Sequence, residues 1–426
     1  MPTVALCFNA LLSFDFANPC SNWLNRYMNA DERNMTVRTL FMMHYGSNEG
    51  YALEKLERIF FRVGVSLAGG DATKVHFSYA DFKRGAPRSL PPGFPNTTPF
   101  VMRNPSIPDY HHIGEYVREH KIDLVVPFDL QPTHPLCRVL RLAGARTIVP
   151  YWGAPISSPN RGWKLALKRL EVLLSRSKAD GLIFESTAMA ELAVTGRGYP
   201  AGQVDVVPLG VDIDRYCPGT SGAAHQLFGL PESRRIFVSC GHIYAGKGIG
   251  TLVEAAMILL GERQRRDACF VMFGNRAREH EPFEQMYAGR DFAALIRFGG
   301  YREDLAEMLR GCFCGVVPSI VQESFSFSSI ELAASGLPVV ASRIGGLTDS
   351  VVDGETGILV EPNNPVALAD ALESLLDEPA RARELGMRGR ARCERELNVE
   401  AHCARLTSVF QQRLAKTRGQ IAFPAA

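Results

Sequence analysis

Short apolar runs alternate with helix-period stretches along most of the chain. The runs that read as strands are TVALCF, IDLVVPF, RTIVPY, GLIFES, VDVVPL, RIFVSC, ACFVMFG, LIRFGG, GVVPS, LPVVAS and GILVEP. Most are rich in Val and Ile and bounded by Gly, Pro or Asp, as expected of parallel strands buried on both faces. The amphipathic stretches between them predict repeated βα units, and hence parallel sheets with right-handed crossovers. Residues 81–109 carry seven prolines and no clear period, which predicts a long loop. From Asn364 and Pro365 onward the pattern is helical throughout.

The series restarts near residue 205. PLGVDIDRYCPGTSGAAH is turn-rich without a helix or strand period, and it predicts an interdomain connection. The expected fold class is therefore α/β, with two Rossmann-like domains facing a cleft, over residues 1–205 and 206–395. A helical tail over 396–426 is expected to cross back onto the first domain. In open α/β sheets ligands bind beyond the carboxyl ends of the strands, so those ends carry the candidate chemistry.

Composition narrows the classes. A chain of 426 residues with 46% hydrophobic and 22% charged residues is that of a globular protein of more than one domain. A net charge of +2 argues against a general nucleic-acid binder. No apolar run reaches the roughly 18 residues of a spanning helix. The N-terminal MPTVALCFNALLSF lacks a basic start and reads as a first strand, not a signal peptide. The ten cysteines are scattered, with Cys312 and Cys314 the closest pair, and no CxxC pair suggests a zinc site. Free thiols in a reducing cytoplasm follow.

Four stretches carry candidate chemistry. In CGHIYAGKGIGTLVEAAMILL a strand ends at Cys240, a glycine-rich turn follows, and a helix starts near Gly250. Backbone N–H groups and the helix dipole make such a turn an anion site, and Lys247 adds a point charge suited to phosphate. The run Gly241 to Gly248 misses the nucleotide-triphosphatase pattern, because Gly248 stands where the metal-binding hydroxyl belongs. In VQESFSFSSIELAASGLPVVAS, Glu323 lies in the loop after GVVPS, and Ser324 to Ser328 supply backbone donors at a helix start. The plainer reading of this stretch is a capping box, Ser328 to Glu331, in which Glu331 satisfies only backbone donors. Asp212 and Asp214 have the spacing of a metal-binding pair but sit in the turn-rich connection. In RGWKLALKRLEVLLSRSKAD, residues Arg161 to Lys178, basic residues Lys164, Lys168, Arg169, Arg176 and Lys178 accompany a leucine-rich helical period. An ordinary surface helix packed on a sheet is the plainer reading, and a basic amphipathic helix touching an anionic membrane the sharper one.

Taken in order, these stretches resemble the retaining glycosyltransferases of family 4, which have the GT-B fold. VVPLGVDIDRYCP resembles the family's V-x-P-N-G-V-D-x-x-x-F-x-P element. CGHIYAGKGIGTLVEA resembles G-R-L-x-x-x-K-G-x-x-x-L-I-x-A. PSIVQESFSFSSIELAASGLPVVAS resembles the E-x7-E region, and IGGLTDSVVDGETGILVEPNN the segment after it. The resemblance covers residues 205 to 376 and is weak over the first 200.

The resemblance implies a transferase that moves a sugar from a UDP- or GDP-type nucleotide-diphosphate sugar to an unidentified acceptor. No metal and no further cofactor are implied. It places the donor at His242, Gly246, Lys247, Glu323, Ser324, Phe325, Ser326, Phe327 and Glu331. In that reading Lys247 binds the diphosphate with the backbone of Ser324 to Phe327, Glu323 faces the sugar and Glu331 the ribose; Glu323 and Lys247 are the catalytic pair. A cytoplasmic location, with peripheral contact at the inner face of a membrane, accompanies it.

The chain departs from the family pattern in three places. His242 replaces the arginine of G-R-L, and histidine carries charge only when protonated; Arg302 or Arg276 could compensate. FANPCSNW replaces a glycine pair after the first strand. YWGAP puts Trp152 where many members have a histidine, so the acceptor side falls to Asp129 and His134, with Trp152 as a stacking surface. These departures keep two alternatives open: a nucleotide-sugar-binding relative without catalysis, and another GT-B enzyme such as a sugar-nucleotide epimerase. The oligomeric state stays open in the sequence.

Overall fold

The computed structural model describes residues 36–156, 159–175, 178–274 and 278–421. They form two compact units. The first takes the chain to Pro150 and adds residues 176–180 and the chain from Leu406 onward. The second holds Tyr151–Ser175 and Gly181–Arg405. The expected first strand TVALCF, the FANPCSNW segment, Arg176 and Arg276 lie outside the described residues.

The first unit is built on a five-stranded parallel sheet of β1 (Thr39–Met42), β2 (Val75–Tyr79), β3 (Thr97–Pro99), β4 (Leu124–Pro127) and β5 (Thr147–Ile148). Its order is β3-β2-β1-β4-β5. Every residue of β1, β2, β4 and β5 is buried, as parallel strands covered by helices on both faces require. The sequence pattern missed β1, β2 and β3. In β2, VHFSY looks too polar for a central strand, yet His76 is buried there with Nδ1 2.9 Å from the Tyr116 hydroxyl.

The second unit contains a three-stranded parallel sheet of β6 (Tyr151–Trp152), β7 (Leu182–Phe184) and β8 (Val204–Val206). Its larger sheet has six parallel strands: β9 (Arg235–Cys240), β10 (Ala268–Phe273), β11 (Ile296–Gly300), β12 (Cys314–Val317), β13 (Val339–Ser342) and β14 (Gly357–Val360). The order β11-β10-β9-β12-β13-β14 is the doubly wound order of a dinucleotide-type fold, with the chain reversing direction across the sheet between β9 and β12. Each of the ten described strands read from the apolar runs is present. Phe237 and Phe270 stack at 5.2 Å in a core that extends through Leu252, Leu259 and Leu372.

By contacts, the two units divide at Pro150, because β6 to β8 and the helix Thr187–Arg197 pack with the second unit. The segment after Val206 is no free connection. Val207, Val211 and Tyr216 are buried, Val211 donates to the Leu397 carbonyl at 2.7 Å, and Gly210 N–H donates to His402 at 3.1 Å. Asn364 caps the helix Pro365–Asp377 through Ala367 N–H, as its position before proline predicts. The last helix, Val399–Ile421, starts in the second unit and belongs to the first from Leu406.

Candidate functional site

The two loops that flank the reversal of the six-stranded sheet carry the predicted donor residues. One follows β9, the other β12, and ligands of doubly wound sheets bind at this switch point. The backbone ties the loops together. Gly248 adopts φ 69°, and a Cβ there would stand 1.7 Å from the Pro318 carbonyl oxygen, so only glycine fits. Ile320 N–H donates to the Gly246 carbonyl at 3.0 Å. Gly246 itself lies under the Tyr244 ring, 2.4 Å from where a Cβ would be.

This arrangement brings Lys247 and Glu323 into contact. Lys247 Nζ lies 2.5 Å from Glu323 Oε1, and Ser319 Oγ donates to the same oxygen at 2.5 Å. The Glu323 side chain is only 12% exposed and the lysine 29%. A partly buried ion pair with an added hydroxyl donor holds both side chains in one arrangement.

The helix after this loop starts two residues earlier than the capping-box reading placed it. Ser326, not Ser328, is the N-cap of Phe327–Ala334: its Oγ accepts from Ser329 N–H at 3.3 Å. Ser328 Oγ turns instead to the Cys240 carbonyl, at 2.7 Å, and so links the helix to the end of β9. Glu331 is two residues beyond the N3 position of this cap, in the second turn of the helix, and buried to 2% exposure. Phe325 is buried, and Ser324, Ser326 and Phe327 are half-buried.

Sequence reasoning missed Glu185. It follows β7 directly, is buried, and accepts from the Tyr151 hydroxyl at 3.1 Å and from Ser324 Oγ at 2.7 Å. The signal was present in GLIFES: a carboxylate at the carboxyl end of a buried parallel strand occupies the kind of position that made Glu323 a candidate. The glycine pair Gly345-Gly346 was also missed. A Cβ on Gly345 would meet the Glu323 carbonyl oxygen at 2.6 Å, and one on Gly346 the Ser324 carbonyl oxygen at 2.2 Å, while Gly346 N–H donates to the Glu323 carbonyl at 2.8 Å. Three residues on, Asp349 accepts from Thr187 and Ala188 N–H, at 3.2 and 3.3 Å, at the start of the helix Thr187–Arg197.

Among the described residues, no hydrogen bond or ion pair joins the remaining predicted residues to the Lys247–Glu323 pair. His242 is exposed on the loop after β9. Arg302 forms a bidentate pair with Asp304, at 2.7 and 2.5 Å, so its guanidinium is already engaged. In the first unit, Asp129 and His134 lie in the loop after β4, at the switch point between β1 and β4. Asp129 adopts φ 53°. His134 Nδ1 accepts from Leu136 N–H at 3.2 Å, and burial lowers its pKa. Trp152 belongs to the other unit. It ends β6 and packs on Phe184 at 6.1 Å, its buried indole N–H lacking a partner among the described residues. Asp212 accepts from Asp214 and Arg215 N–H and so closes a turn. Among the described residues no group of three or more His, Cys, Asp or Glu is placed to hold a metal ion.

Comparison with known proteins divides the chain between residues 210 and 234, close to the boundary expected at residue 205. Residues 68–210 match the glycosyl transferase 4-like domain, and residues 234–378 match glycosyl transferases group 1. The D-inositol 3-phosphate glycosyltransferase 2 of Catenulispora acidiphila is 35% identical over 216 residues, 49% of this chain and 50% of that protein. The D-inositol 3-phosphate glycosyltransferase of Streptomyces avermitilis is 34% identical over 49% of this chain and 47% of its own length. The chain thus spans about half the length of the curated relatives it matches. Among solved structures, a glycosyltransferase from Rickettsia africae superposes with a TM-score of 0.74 at 16% identity, covering 89% of this chain and 99% of that one. Sucrose-phosphate synthase from Thermosynechococcus elongatus gives 0.68 at 21% identity, over 89% and 100%. Anabaena HepE in complex with UDP gives 0.69 at 18%, over 88% and 100%. At these identities the likeness is one of fold. With its two glycosyl transferase domains in tandem and two Rossmann-like sheets, the chain belongs to the glycosyltransferases of GT-B architecture.

Proposed function

We propose that the protein transfers a sugar from a UDP- or GDP-type nucleotide-diphosphate sugar to an acceptor with retention of configuration, as a family 4 enzyme, without a metal ion or other cofactor. The observation that carries this reading is the Lys247–Glu323 pair at the β9/β12 switch point, 2.5 Å apart and enclosed by glycines that admit no side chain.

In glycosyl transfer the anomeric carbon gains positive charge and the departing diphosphate gains negative charge. Lys247 and the backbone N–H groups around the Ser326 cap are fixed donors for the second of these, and fixed donors stabilise charge that develops in the transition state. A lysine in this role replaces the neutralisation a divalent cation would give. Glu323 holds hydroxyls of the sugar and orients it, and Glu331 takes the ribose. Before donor binding Lys247 is held by Glu323, so entry of the diphosphate exchanges one anionic partner of the lysine for another. Once the diphosphate takes the lysine, Glu323 keeps Ser319 and turns to the sugar. His242 leaves the diphosphate with less permanent charge than an arginine would supply. Asp129 and His134 serve the acceptor side. The inositol-phosphate transferases among the relatives and the UDP bound by HepE suggest a UDP-type donor and a polar, hydroxyl-rich acceptor.

The test is donor turnover with a panel of nucleotide sugars. Glu323→Ala and Lys247→Ala are each expected to lower kcat/KM by two orders of magnitude or more while the fold is kept, a loss of about 3 kcal/mol of transition-state stabilisation. Full turnover in both variants would refute the assignment. Binding without turnover in the unaltered protein would favour the non-catalytic reading.

A further inference from the structure

The helix Gly162–Leu174 has its apolar side outward. Trp163, Leu167, Leu170, Leu173 and Leu174 are all between 49% and 70% exposed, and Val172 is its buried side chain. At about 100° per residue, Trp163, Leu167, Leu170 and Leu174 fall within an arc of about 60°, and Val172 lies nearly opposite. The helix is thus anchored by the face opposite its stripe. The ordinary-surface-helix reading required the reverse, with leucines inward. Among the described residues no helix is long and apolar enough to cross a membrane, so the stripe does not belong to a span.

Charge identifies what covers it. Lys164 and Arg169 flank the stripe on its two sides, Arg161 precedes the helix, and Lys168 pairs with Glu171 at 2.7 Å. Glu171 is the single acidic residue from Arg161 to Leu174. A second copy of the chain docked through this stripe would bring like charges together around the seam. A protein partner of ordinary composition would match the leucines but leave the cations unanswered. An anionic lipid surface matches both: the leucines and Trp163 enter the acyl boundary, and long cationic side chains extend from the same helix to the headgroups.

We propose that Gly162–Leu174 docks the protein on an anionic bilayer, lying in the interfacial plane with Trp163, Leu167, Leu170 and Leu174 inserted. This inference is independent of the donor chemistry proposed above. It is tested by sedimentation of the full chain with vesicles of phosphatidylcholine alone and with added phosphatidylglycerol. Binding is expected only with the anionic lipid and is expected to weaken with salt. The Leu167→Ser/Leu170→Ser/Leu174→Ser variant is expected to lose at least ten-fold in binding, and Lys164→Gln/Arg169→Gln about five-fold per charge. The substituted leucines and cations are on the surface, so unchanged thermal unfolding will show that the variants are folded. Absence of vesicle binding, or binding that the serine variant retains, would overturn the proposal. So would self-association in sedimentation velocity that the serine variant abolishes while vesicles stay unbound, since that would make a second copy the occupant.

Discussion

Replacing Glu185 probes whether the donor loop is held from below. The carboxylate accepts from the Tyr151 hydroxyl at 3.1 Å and Ser324 Oγ at 2.7 Å, and Tyr151 is fully buried. Hydrogen bonds to a charged acceptor contribute about 1.5–3 kcal/mol each, and a buried hydroxyl left without a partner costs about 1–3 kcal/mol. Against this, removing a buried carboxylate recovers part of its desolvation. Glu185→Ala is therefore expected to destabilise the second unit by about 2–3 kcal/mol, which for a unit of this size lowers Tm by about 5–10 °C. Glu185→Gln is expected to lose less than about 1 kcal/mol, because each hydroxyl rotates freely and the amide offers one acceptor and one donor group. The assay is thermal unfolding with and without a nucleoside diphosphate. The transition that the ligand raises reports the unit that holds the donor site. Donor KM is expected to rise several-fold in the alanine variant and little in the glutamine one, since Ser324 loses its anchor only in the first. A neutral alanine variant would refute the anchoring argument. A glutamine variant as damaging as alanine would show that the negative charge matters, not the geometry.

Two further outcomes follow from other parts of the structure. Gly248→Ala is expected to lose at least about 2 kcal/mol and nearly all transferase activity, because φ 69° and the Pro318 carbonyl oxygen leave no room for a methyl group; wild-type unfolding and turnover would contradict it. In the first unit, Glu57 accepts from Ser89 and from Tyr79, yet burial outweighs these bonds and pushes its pKa from 4.5 up to about 7. The folded state then keeps a proton that the unfolded chain releases, so the contribution is complete below about pH 4.5 and lost by about pH 7, a fall of about 3 kcal/mol. Urea midpoints of the first unit across that window are expected to fall, and Glu57→Gln to flatten them; a rising midpoint would reverse the sign.

What could be read in the sequence depended on the range of the interaction. Val- and Ile-rich runs such as RIFVSC and LPVVAS disclose buried strands without knowledge of partners, and Asn364-Pro365 discloses a helix start from adjacent residues. VHFSY stayed hidden because His76 is satisfied by Tyr116, forty residues away. The cap at Ser326 was misread as Ser328 since the closely spaced serines Ser326, Ser328 and Ser329 offer equivalent local chemistry, and the choice falls to the distant Cys240 carbonyl. Lys247 and Glu323 could be paired through the order of motifs. Glu185 could not, because its meaning comes from Ser324, 139 residues later. The packing of β6 to β8 with the second unit was hidden for the same reason: those strands read like any others until the helix Thr187–Arg197 meets Asp349.

The contacts of Gly345 and Gly346 bear on how this protein can be re-engineered. The backbone of Glu323 and Ser324 rests on that turn with no space for a Cβ, and Asp349 beyond it caps the helix Thr187–Arg197. A designer who exchanges residues 319–327 to alter sugar preference will disturb the surface that supports them. The transplantable module is discontinuous: 319–327 together with 343–350, and with 185–188 to receive Ser324 and Asp349. Chimeras that respect those three segments keep their shape, and loop swaps that cut between them do not.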